Sequence, residues 1–252
     1  MKAEATQGTH APLRYARLLH LLTSQEKMLM VMASHPGPSH HAAPQRTGWA
    51  MAGLLAGLDT WEEFEERWRV AHSRGWQDGN LARLMGGYQI TGIAGAWRDA
   101  GEPIPPLTGG MRLGRKIRDP HLICFEHCVI EATRHLNGLA AGETVSFVMD
   151  WNEPLASSAL WGLEDLKNLS APPIRERLGA LGFEGRDTFL PLQAAEWLAR
   201  RCYERLQDPT CDAEHFSPPD EHWIRWTLLD GTTPGCVPKG AGLAWKQSSS
   251  RP

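Results

Sequence analysis

An apolar, β-branched run, Thr144-Val145-Ser146-Phe147-Val148-Met149, closes on a carboxylate at Asp150. Its length and composition read as a strand. The last residue of such a strand emerges at the C-terminal edge of a sheet, where ligand and catalytic groups collect in α/β folds. Further along, Leu192, Ala195, Ala199, Tyr203 and Leu206 recur at spacings of three and four and so share one helix face. Glu196 lies within that apolar stripe, not opposite it. A carboxylate left bare in low dielectric costs several kcal/mol, so each acid needs a counter-charge, hydrogen bonds or a metal ion. The plainer uses are a turn cap for Asp150 with Asn152, and for Glu196 a reach to solvent or a pair with Arg200, four residues on. Coming from elements expected to converge, the two acids together mark a candidate site.

The rest of the chain alternates strand and helix patterns, which indicates an α/β domain with a mixed sheet. A polar leader and one amphipathic helix are expected over residues 1–27, as an N-terminal extension. Met28 to Met32 reads as a strand, and Ala33 to His41 as a turn by composition. Trp49 to Leu58 reads as a second strand hairpinned to the first. A helix from Trp61 to Ser73 follows, with Thr60 as cap and Glu63 completing a capping box. Residues 75–118 are rich in glycine and proline, lack periodicity and yield no element. Asp119-Pro120 opens a helix over His121 to Leu136, stopped by Asn137-Gly138. A helix from Leu155 to Asn168, a strand from Leu178 to Phe183 and the Glu196 helix complete the main body. Residues 207–252 form a C-terminal extension with a loose end.

At 252 residues and 28.0 kDa the chain can bury one substantial core. A net charge of -3 offers no global attraction to nucleic acid, so polynucleotide binding would need a local patch or metal ions. The longest apolar runs fall short of the roughly twenty residues that span a bilayer. Five cysteines make no disulfide framework and no secretory leader is apparent, which together suggest a cytoplasmic protein. Trp61, Phe64 and Trp68, at helical spacing, read as core packing.

Other clusters hold ligand-type residues. Cys124, His127, Cys128, Glu131 and His135 crowd one helix at ligand-like spacing, although cysteine on an apolar face is commonly a small hydrophobe. His35, His40 and His41 form a histidine-rich turn that could ligate a metal or lie solvated. Gly109 to Lys116 superficially matches a phosphate-binding loop, but the lysine falls one place late and Ile117 replaces the magnesium-binding hydroxyl.

Four segments carry a resemblance. Trp49-Ala50-Met51-Ala52-Gly53-Leu54-Leu55-Ala56 leading into Thr60 to Trp68, Asp119-Pro120 with Cys124-Phe125, Val145 to Asp150, and Leu192-Gln193-Ala194-Ala195-Glu196 resemble, in order, a large bacterial family, the domain of unknown function 3800 family. The resemblance covers residues 28–206. It implies a ribonuclease-H-like mixed sheet flanked by helices, on which carboxylates gather magnesium or manganese ions for phosphodiester hydrolysis of a nucleic acid, with water as nucleophile. Asp150 and Glu196 are the implied catalytic ligands and Asp187 a third. The family's first strand usually ends in Asp-Glu-Ser-Gly, whereas this chain has Ala33-Ser34-His35-Pro36-Gly37. The principal metal-binding aspartate is thus missing, and His35 as a replacement ligand would favour a transition metal. The expectation is a degenerate nuclease, or alternatively a non-catalytic binding or scaffold protein that keeps the fold. No protein partner can be read from the sequence.

Overall fold

Backbone hydrogen bonding in an α/β chain resolves strand periods into ladders and helix periods into the layers that cover them. The computed structural model describes residues 26–36, 48–75, 78–98, 120–136, 143–151, 156–208 and 223–230. Among the described residues the elements are β1 (Glu26–Pro36), β2 (Gly48–Gly57), α1 (Leu58–Ser73), α2 (Asp78–Gly86), β3 (Thr91–Arg98), α3 (Pro120–Leu136), β4 (Thr144–Asp150), α4 (Ala156–Leu169), α5 (Pro172–Arg175), β5 (Leu178–Glu184), α6 (Pro191–Gln207) and β6 (Ile224–Asp230).

The strands form one six-stranded mixed sheet in the order β5-β4-β1-β2-β3-β6. β1 pairs antiparallel with β2, and β2 antiparallel with β3. β4 adds parallel to β1, β5 parallel to β4, and β6 parallel to β3. Only β2 therefore runs against the others, and the ends of β1, β4 and β5 share one edge. Asp150 pairs with Glu184 and Met149 with Met32, which sets the closing residues of β4 and β5 side by side and next to the last third of β1.

Period-two alternation sorts the strand residues onto two faces. Leu29, Val31, Ala33 and Val148 enter a core with residues of α1 and α6. Met30, Met32, Phe147 and Met149 enter a second core with residues of α3 and α4. The tryptophan pattern of α1 is core packing, as its spacing indicates. Trp61, Phe64 and Trp68 are buried, and the Trp61 Nε1 donates to the carbonyl of Leu29 at 3.1 Å.

Several elements differ from the sequence reading. β1 continues to Pro36, so Ala33 to His35 are strand and not turn, held by the ladder with β2 past the point where β4 ends. α1 begins at Leu58, directly after β2, which places Thr60 inside the helix instead of at its cap. The stretch from 75 to 118 contains α2 and β3, and residues 224–230 form a strand of the same sheet. The expected helix over 1–27 (apart from Glu26 and Lys27), the residues His40 and His41, the run Gly109 to Lys116 and the chain end lie outside the described residues. Among the described residues no helix is long and apolar enough to cross a membrane.

Candidate functional site

Asp150 closes β4 on the α6 side of the sheet, the side shared by Val148. It is 1% exposed. One strand over, β5 ends at Glu184 and turns into α6 through Gly185 to Leu190. The turn is tightly tied: the amides of Thr188 and Phe189 donate to the carbonyl of Gly185 at 3.1 and 2.8 Å. The carbonyl of Arg186 accepts from the Gln193 side chain at 3.1 Å. α6 then starts with Pro191 at its first turn, a position where the missing N–H is harmless.

This turn aims Arg186 at both acids. Its Nε donates to Asp150 Oδ2, and its Nη1 pairs with Glu196 Oε1 at 2.5 Å. One guanidinium thus bridges the end of β4 and the first turns of α6. Burial opposes the charge on Arg186, but hydrogen bonds and attraction from Asp150 and Glu196 outweigh it and raise its pKa above the ordinary value. Glu196 thus pairs with Arg186.

His35 joins the same neighbourhood from β1. Its ring packs against Tyr203 of α6 with centroids 5.2 Å apart. Burial lowers its pKa; Glu196 and Glu204 act to raise it, and Arg200 and Arg186 to lower it. Three of the four residues singled out in the sequence, Asp150, Glu196 and His35, therefore converge. Asp187 is exposed on the turn. Arg186, immediately before it, is the group that sequence reasoning passed over. The available signal was a cation in the turn after the strand next to β4, at the edge where a buried carboxylate required one.

The donor set does not fit a pair of divalent ions. Two-metal hydrolysis needs several carboxylates free to bridge the cations in fixed geometry. Here both carboxylates are already engaged by a covalently tethered positive charge, and Arg200 adds a second one nearby. Among the described residues, no three His, Cys, Asp or Glu side chains are grouped to hold a metal ion.

The α3 cluster is divided among separate partners. Cys124 and Cys128 are buried in the core, and Cys128 Sγ lies 3.7 Å from the Met51 carbonyl, with its thiol pushed up to about 12 by burial. Glu131 pairs with Arg134 at 2.5 Å and with Arg225 at 4.0 Å. His135 Nε2 lies 3.4 Å from Thr91 Oγ1. No protein-family model matches the sequence, and no curated protein matches it.

Proposed function

We propose that this chain is a degenerate ribonuclease-H-like protein, of the domain of unknown function 3800 type, in which Arg186 has taken the cation's place and the fold serves binding instead of phosphodiester hydrolysis. The mixed sheet supports the ribonuclease-H-like reading: an antiparallel β1-β2-β3 meander is extended from β1 by the parallel strands β4 and β5. The placement of Asp150 at a strand end opposite an acid of α6 supports descent from a metal site. The bridging guanidinium carries the rest of the proposal. An internal cation satisfies the charge requirement of both carboxylates without supplying the Lewis acid or the activated water that hydrolysis needs.

Trp151 favours a binding role. It follows Asp150, is 67% exposed, and has its Nε1 beside Gly185 at the mouth of the site. A tryptophan face in water next to an arginine suits stacking against a base or another flat group, so nucleic acid is the partner class to test first.

The experiment is incubation of the protein with labelled single- and double-stranded DNA and RNA in manganese, beside an Asp150→Asn control, with cleavage and gel retardation read from the same samples. Parent and control should give equal background cleavage. In a parallel thermal-shift series, manganese should leave the parent unchanged and stabilise Arg186→Met, where the carboxylates lose their guanidinium. Manganese-dependent cleavage by the parent that Asp150→Asn abolishes would establish an active nuclease and overturn the proposal.

A further inference from the structure

α1 and α2 enclose a cleft of about 710 Å³ on the outer side of α1, sharing no residue with the Asp150 site. That is the size of an ordinary small-ligand pocket, roughly 300 to 1,000 Å³. Glu63, Arg67, Val70 and Arg74 recur at spacings of three and four, so one stripe of α1 forms the first wall. The second wall comes from the end of α2 and the turn after it, with Arg83, Leu84 and Tyr88. α1 stops in time to leave Arg74 at the mouth because Gly75 adopts φ 62°, a left-handed conformation suited to glycine at a helix end.

The interior is ordered. Glu63 and Arg67 are the charged neighbours of the Tyr88 hydroxyl, whose pKa burial raises, and its ring stands edge-on to Phe64 at 5.7 Å. Val70 and Leu84 add apolar surface. Arg74 and Arg83 are exposed, and neither has an ion-pair partner among the described residues. Three guanidinium groups against the Glu63 carboxylate leave an excess of positive charge. The C-terminal ends of α1 and α2 carry about half a negative charge each, which offsets only part of it. The cleft remains electropositive around an apolar floor.

We propose that this cleft binds an organic phosphate monoester, with the phosphate held by Arg74 and Arg83 and the apolar or planar body lying on Val70, Leu84 and Tyr88. The planar fork of arginine matches phosphate oxygens in a bidentate manner, and two forks suit a dianion. The apolar floor explains why the bare ion should bind less well than its ester.

Isothermal titration of the full chain with adenosine monophosphate, inorganic phosphate and succinate, at low salt, tests this. Adenosine monophosphate should bind more tightly than inorganic phosphate, and succinate should give no comparable heat. Arg74→Ala/Arg83→Ala should weaken the nucleotide at least about tenfold, a loss of about 1.4 kcal/mol, with an unchanged circular dichroism spectrum, since both positions are exposed. No heat from adenosine monophosphate overturns the proposal, as does equal binding by the double variant. Succinate binding as tightly would overturn the phosphate assignment. Arg186→Met should bind adenosine monophosphate like the parent, which separates this cleft from the Asp150 site.

Discussion

Asp150 is 1% exposed and Glu196 38%, so the two ends of the Arg186 bridge are energetically unequal. The outer pair with Glu196 faces water and contributes little, in the range of surface ion pairs. The inner pair with Asp150 lies in the low-dielectric edge of the core, where loss of one partner leaves a stranded charge. Arg186→Met should therefore destabilise by about 3 kcal/mol, the low end for breaking a buried pair because the arginine is one-third exposed. Adding Asp150→Asn should recover much of that loss, since the amide carries no charge. Urea unfolding of the two single variants and the double one measures the coupling; strictly additive losses would mean the pair is not the unit described. The need for a partner was legible in the sequence, because an acid inside an apolar pattern must be compensated. Its identity was not: an arginine in a turn is ordinarily solvated, and only the parallel pairing of β5 with β4 puts Arg186 over Asp150.

Elements with a clear period were read close to their observed bounds, as β2, α3, β4, α4, β5 and α6 show. β3 was missed because it lacks alternation. Its Thr-Gly-Ile-Ala-Gly-Ala-Trp-Arg run is buried on both faces, and its glycines admit close neighbours: an added Cβ would lie 3.0 Å from Ile224 Cγ1 at Gly92 and 3.0 Å from His127 Cδ2 at Gly95. Small residues there are packing choices that imitate a loop composition. The same logic governs the seat of α4 on α3. At Gly162 a Cβ would come within 2.6 Å of Leu122 Cδ1 and 3.5 Å of the Phe125 ring. The nearest atom is the tip of a flexible side chain, and alanine brings about 1 kcal/mol of helix propensity, so Gly162→Ala should be close to neutral. Gly162→Val places branched carbons against Phe125 and should cost roughly 1 to 3 kcal/mol by overpacking. Urea midpoints decide it; equal stability of the two variants would show that α4 does not approach α3 this closely.

One sheet separates the two cores, and every central strand contributes side chains to both, so neither core can melt alone without removing half the support of the ladder. A group sealed in one core should then report on the unfolding of the whole chain. The ring of His127, a partly buried residue of α3 that packs beside Gly95 of β3, carries such a group in its Nε2. Its Nε2 is buried and has no hydrogen-bond partner among the described residues. Burial pushes its pKa down to about 4, against attraction from Glu131 and with repulsion from Arg134. In the unfolded chain it titrates near 6.5. Between those values the unfolded state holds a proton that the native state does not, so stability rises with pH across the window and is lost as pH falls from 6.5 towards 4. At pH 5 the loss attributable to this group is on the order of 2 kcal/mol relative to pH 8. Carboxylates contribute to the same acid limb, so the measurement is a comparison: urea unfolding of the parent and of His127→Gln at pH 8, 6 and 5. The glutamine variant should lose less stability on acidification, with the two curves parallel above pH 7. Parallel curves over the full range would show that His127 takes up its proton as readily in the folded protein as in the unfolded one, and that the α3 face of the sheet admits water.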